Sequence, residues 1–298
     1  MRNAIADKLR RASGGATGKL STVDFLLPTG EPALSAVDSL SWRVFKNPIA
    51  LFVGGITAVI LELAEPRVRT GVWEHSSFRT QPLQRMQRTG LAAMVTVYGP
   101  RGVAEEMIQG ITRMHARVEG VTPEGQAYQA LQPELMDWVQ ATASFGFLQA
   151  YHHFVRPLST QERDRFYLDA QPAAALYGAS GAPTSEAEQE QLFADMLPVL
   201  RQHPIVAEFL EIMWSTPALP GPLRLLQGPC IRAAISLIPP PVQALLGLPG
   251  DYTLPAGQAR VVRTVGRLVE RMPIPGSPPV LASKRMGLPG NYLFRAQH

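Results

Sequence analysis

Cysteine is almost missing from this 298-residue chain. Cys230 stands alone, so no internal disulfide can form, and Cys-rich zinc or iron–sulfur sites are excluded. Charge is sparse as well, at 17% of residues with a net +4. The pI near 9.4 comes from scattered arginines, with no basic stripe interleaved with aromatics, which argues against a nucleic-acid partner. Long hydrophobic runs are lacking too. The longest, Ile49 to Leu61, is interrupted by Gly54 and Gly55 and closed by Glu62, Glu65 and Pro66. It falls short of the roughly 20 residues that a membrane span requires and reads as a buried core helix. The N-terminal MRNAIADKLRRASGGATGKL is positive without an apolar segment behind it, so neither a secretory nor a twin-arginine signal is expected. Cytoplasmic residence without a membrane span is the expectation, and peripheral contact with a membrane surface stays open. HExxH, GxSxG, P-loop and dinucleotide fingerprints are all absent, which removes the commonest protease, hydrolase and nucleotide-binding readings.

What is present is helical periodicity. The 46% hydrophobic content over this length suffices for a sizeable core. Residues 1–33 mix Gly, Ser, Thr and Pro with charge and read as a loosely ordered arm. An all-α domain of about ten helices is expected over 34–275, a single globular unit enclosing an apolar pocket. Its helices are expected at Leu34 to Phe45, through Gly54-Gly55, from Pro82 to Tyr98, up to Val118, at Pro133 to Phe154, from the Ser159/Glu162 capping box to Ala175, and in shorter pieces to Met272. Pro66 and Gly71 are expected to break the chain before Val72. The 27 prolines cluster between helical runs. No strand of period two is evident, and 276–298 reads as a tail wrapping the surface.

The chemistry-bearing stretch runs from Arg85 to Gly120. Ala104, Ile108, Ile111, His115 and Val118 recur at intervals of three and four, the spacing of one amphipathic face. His115 therefore points inward, where an imidazole requires either a hydrogen-bond partner or a metal. On the preceding helix Arg85, Arg88 and Thr89 share a face with Ala92 and Thr96, which taken alone is also the pattern of a solvated face. Glu62 and Glu65 are expected to pair with Arg67 or Arg69 at the surface. His152 and His153 are adjacent and cannot chelate one ion from a helix.

In the segments GVWEHSSFRTQPLQRMQRTG, VYG, RMHARVEG and AYQALQPELMDWVQA the chain resembles the MpaB and rubber-oxygenase (latex-clearing protein) family. The resemblance implies an all-helical domain binding haem b, whose iron uses dioxygen to cleave double bonds in isoprenoid chains. By position it implies His115 as the proximal axial ligand, with Arg85, Arg88 and Thr89 on the distal side as cofactor-binding and catalytic residues. Arg88 stands where the rubber enzymes carry a lysine able to bind iron, and a guanidinium does not coordinate. Where many relatives read Gln-x-Ala-His-Pro, this chain reads Glu62-Leu63-Ala64-Glu65-Pro66.

The function expected is a haem-b-dependent oxygenase taking dioxygen and an apolar, unsaturated or lipid-like substrate, with any redox partner unidentified. Two other readings stay open on the residues alone: a non-redox helical carrier of hydrophobic ligands, and a scaffold protein whose family site has decayed. A Soret band from the purified protein separates the first from the others.

Overall fold

The computed structural model describes residues 23–219, 221–248, 250 and 252–295. Thirteen α-helices occur among them: α1 (Leu40–Phe45), α2 (Pro48–Ala64), α3 (Pro66–His75), α4 (Pro82–Tyr98), α5 (Arg101–His115), α6 (Pro133–Phe154), α7 (Thr160–Tyr177), α8 (Glu186–Met196), α9 (Pro204–Ser215), α10 (Gln227–Ser236), α11 (Pro240–Leu245), α12 (Ala256–Val269) and α13 (Pro278–Arg285). The fold is all-α, and its one sheet is a hairpin of β1 (Glu119–Val121) and β2 (Ala127–Gln129).

Local chemistry sets the helix starts. The Asn47 side chain accepts hydrogen bonds from the N–H groups of Ile49 and Ala50, and Pro48 fills the first turn of α2, where no donor is needed. Glu65 ends α2 and caps α3, its carboxylate accepting from the N–H of Val68 at 2.7 Å. The chain bends by 110° between the two helices. Ser159 and Glu162 form the expected reciprocal capping box on α7.

The centre of the molecule is the α2–α6 pair. Asn47 and Tyr151 both bond Glu270, Gly54 meets Gly146, and Arg67 reaches Glu134, so the two helices run antiparallel. A Cβ on Gly54 would sit 2.7 Å from the Gly146 carbonyl oxygen and from the Phe147 Cα, and one on Gly146 would sit 2.3 Å from the Gly54 oxygen. The Gly-Gly pair therefore serves a tight helix crossing at Gly54. Gly55 has more room, with only the Phe147 ring at 3.9 Å.

Buried side chains fall into two main cores. The larger gathers Val53, Ile60 and Leu61 of α2 with Trp138 and Leu148 of α6, Phe209, Ile231 and Val262. The second joins Phe25, Leu34 and Trp42 to Val95 and Tyr98 of α4, Ala104 and Ile108 of α5, and Leu293. Arg285 closes it, fully buried and donating to the carbonyls of Phe25, Glu31 and Tyr98 at 2.8 Å each.

Five expectations change. The tail does not merely wrap the surface: Pro278–Arg285 is helical, and Ala282, Ser283 and Arg285 are buried. Of the arm expected at 1–33, residues 1–22 lie outside the described residues, while Phe25 and Ala33 belong to the second core. The first helix begins only at Leu40, where Ser39 accepts from the N–H of Trp42. Pro66 and Gly71 do not break the chain, because Pro66 occupies the first turn of α3 and Gly71 lies within it, against the Tyr128 ring. The turn VTPEGQ closes a hairpin too short to display period two.

Gly54→Ala should destabilise the protein despite alanine's better helix propensity, because the obstructing atoms are backbone. The expected loss is about 1–3 kcal/mol in denaturant unfolding, the usual range for overpacking.

Candidate active site

Three polar side chains from three helices converge where the two cores meet. Glu62 comes from the last turn of α2, Arg85 from the first turns of α4, and His115 from the last residue of α5. Each keeps some accessible surface, yet burial dominates its titration. The Glu62 carboxyl is pushed up to about 7 by burial, with the Arg85 charge pulling the other way. The His115 imidazole is held below its ordinary value by burial and then by Arg85. Arg85 is lowered by burial, supported by Glu62 and opposed by Arg88, and a guanidinium remains charged at any ordinary pH.

None of the three is hydrogen-bonded through its side chain among the described residues. His115 thus has two free ring nitrogens and is neutral near pH 7, the form in which an imidazole lends a lone pair to a metal. The expected amphipathic face of α5 is present: Ala104 and Ile108 are buried, while Ile111 and His115 are half-buried towards the helix end.

An apolar track leads to this cluster. Phe52, Gly55, Val59 and Glu62 are all half-buried, as is Leu51, on an α2 that is buried elsewhere except at Pro48, and their spacings place them on one face. Phe147 of α6 lies beside Gly55, and its ring stands 4.7 Å from that of Phe45.

The other candidates on α4 sit differently. Arg88 is exposed and donates to the Ser77 hydroxyl at 2.6 Å. Thr89 is exposed, its hydroxyl donating to the Arg85 carbonyl at 2.9 Å. The structure therefore brings Arg85 together with His115 and leaves Arg88 and Thr89 further out on the same helix. Further along that face Thr96 is 3.0 Å from the Tyr177 hydroxyl.

Glu62 is the residue that sequence reasoning missed. It does not pair with Arg67 or Arg69. Glu65 takes that role, buried and 2.7 Å from the Arg67 Nε. The available signal was position: Glu62 falls three, seven and ten residues after Val59, Gly55 and Phe52, on a helix whose other faces are buried. Of the other described histidines, His152 accepts from the Leu158 N–H and His203 caps α9, while His75 and His153 are exposed.

The cluster offers one imidazole and one carboxyl as candidate metal donors. No group of three or more His, Cys, Asp or Glu side chains able to hold a metal ion occurs among the described residues. A haem would need from the protein a single neutral imidazole, and His115 could provide it.

The chain is thus an all-helical domain carrying a partly buried cluster of a carboxyl, a guanidinium and an imidazole. Residues 42–271 match the family model of the ER-bound oxygenase mpaB/B′ and rubber oxygenase catalytic domain, and the chain belongs to that family. It is accordingly an oxidoreductase of oxygenase type. No curated protein and no solved structure matches it. No single described helix is long and apolar enough to cross a membrane, and α2 with α3 reaches that length only as a bent pair.

The raised Glu62 carboxyl has a measurable consequence. Folded-state protonation above the unfolded value means that stability is greatest below about pH 4.5 for this group and falls as pH rises through about 7. Glu62→Gln should gain on the unmodified protein as pH goes from 5 to 8 (roughly, spanning the shift), by at most about 3 kcal/mol in denaturant unfolding.

Proposed function

We propose that this chain binds haem b through His115 and oxidises an apolar, unsaturated substrate of isoprenoid type with dioxygen. The observation that carries the reading is the His115 imidazole, neutral, half-buried and free at both nitrogens, facing a permanent cation at Arg85 and a titrating carboxyl at Glu62. Haem, when bound, supplies a redox-active iron able to use dioxygen.

The protein's own residues divide the remaining work. His115 offers a nitrogen lone pair without first having to lose a proton. Arg85 places a fixed positive charge in a partly desolvated site, where it favours any negative charge that develops on oxygen. Glu62 holds a proton at its carboxyl below about pH 7 and gives it up above, so it can accept or return a proton within the physiological range. Phe52, Val59 and Phe147 present apolar surface that orients a hydrocarbon and keeps water away from the polar cluster. Arg88 and Thr89 belong to the same reading by family position; Arg88 adds its charge to that of Arg85, and the Thr89 hydroxyl, donating to the Arg85 carbonyl, steadies the backbone there.

A non-redox carrier would use the same apolar track, but it has no need of a charged arginine and a neutral histidine brought together without partners. The test is reconstitution of the purified chain with haemin. A Soret band is expected, lost in His115→Ala while the far-ultraviolet helical signal stays. Full haem uptake with an unchanged spectrum in His115→Ala would refute axial ligation by this residue. Arg85→Ala should retain haem and cut kcat on the order of 100-fold, and Arg88→Ala should cost less.

A further inference from the structure

Arginines that read as scattered along the sequence fall on one exposed face of α12. Arg260, Arg263, Arg267 and Arg271 lie at i, i+3, i+7 and i+11, the last just past the helix end, and all four are exposed. Among the described residues none of them forms an ion pair. Arg263 donates to the His153 carbonyl at 3.3 Å and lies over the Phe154 ring at 5.9 Å. The local acid, Glu270, is turned inward and consumed by Lys46, Asn47 and Tyr151.

Beside the arginine stripe runs an exposed apolar one. Val261 and Leu268 share a second face of α12, and Met272 and Ile274 extend it beyond the helix; Leu268 is 61% and Met272 49% exposed. The third face anchors the helix. Val262 is fully buried, and Gly266 presses against the Phe154 carbonyl, where a Cβ would come within 2.5 Å. Burial of that face holds the basic and apolar stripes outward. A cleft of about 250 Å³ opens beside them, with Arg263 on its rim and Phe154, Leu237, Ile238 and Leu254 among its walls.

We propose that α12 and the turn after it dock the protein on an anionic phospholipid bilayer. A soluble acidic partner would account for the arginines alone. The bilayer accounts for both stripes, because phosphate headgroups meet the guanidinium groups while Val261, Leu268, Met272 and Ile274 enter the boundary between headgroups and acyl chains. The docking face is separate from the candidate active site. Asn47, bonded to the Gly266 carbonyl, marks the start of α2, and Glu62 lies roughly 22 Å further along that helix at its usual rise. The proposal therefore does not depend on haem binding.

The test is co-sedimentation of the full chain with vesicles of phosphatidylcholine alone or with phosphatidylglycerol added, at low and high salt. Binding is expected only to the anionic vesicles and should weaken with salt. Arg267→Gln should reduce it about fivefold, and Arg260→Gln, Arg267→Gln and Arg271→Gln together on the order of 100-fold. Leu268→Ser with Met272→Ser should lower vesicle binding about tenfold or more and leave binding to polyglutamate or duplex DNA unchanged. These exposed positions carry no packing, and far-ultraviolet circular dichroism verifies each variant. Failure to sediment with anionic vesicles, or equal sedimentation with phosphatidylcholine alone, would overturn the proposal. So would vesicle binding indifferent to the Leu268 and Met272 changes, since the face would then be a general polyanion surface.

Discussion

The contact on which the rest depends is the crossing of α2 and α6 at Gly54 and Gly146. With no side chain on either, the helices meet backbone to backbone, and the Phe147 Cα lies where a Gly54 Cβ would be. That closeness fixes the rotation of α2 about its own axis. Once Gly54 faces α6, the stripe of Phe52, Gly55, Val59 and Glu62 must lie on another, half-buried side of the helix, with Phe52 and Val59 at the edge of the larger core. Placement of Glu62 opposite Arg85 is thus a consequence of packing some two turns of helix away, at 5.4 Å per turn, roughly.

Arg85 then organises the electrostatics of the seam. Its charge acts in opposite senses on its neighbours: it opposes protonation of His115 and stabilises the Glu62 carboxylate. Burial also favours a neutral imidazole, so at His115 the two effects add. At Glu62 they compete, and burial wins only far enough to bring the carboxyl to about 7. One cation therefore keeps a lone pair available on one side and a proton exchangeable on the other. A lysine in the place of Arg85 would be a weaker organiser, because burial could remove its charge.

Legibility in the sequence followed the range of the interactions. Caps and prolines act over a few residues, and the starts of α4, α6 and α7 were readable from Pro82, Pro133 and Ser159. The face of α5 carrying His115 was readable because one helical repeat spells it out. The hairpin at 119–129 was not, since three-residue strands are shorter than any period that could announce them. The tail failed for another reason. Arg285 looks like a surface charge in sequence, and its burial rests on carbonyls of Phe25, Glu31 and Tyr98, at least 187 positions away. Glu62 combined both difficulties: its partner is on another helix, and its nearest basic neighbours in sequence, Arg67 and Arg69, belong to Glu65 and to the Leu63 carbonyl.

The two ends of α2 show why Glu62 reads as functional and Glu270 as structural. At the start of the helix the Glu270 carboxylate accepts from Lys46, Asn47 and Tyr151, and Lys46 also reaches the Leu293 carbonyl. Each charge there has a counter-charge and a donor, as a buried ion pair requires if it is not to cost more than it returns. Desolvation lowers Lys46, and Glu270 opposes that lowering. At the far end Glu62 has neither donor nor contact ion pair and meets its desolvation by taking up a proton instead. The fold can satisfy a buried carboxylate on α2's neighbours completely, so leaving one unsatisfied beside a neutral histidine and an unpaired arginine is not a failure of packing. Unpaired, partly buried polar groups lower stability, and a ligand that supplied the missing partners would offset that cost.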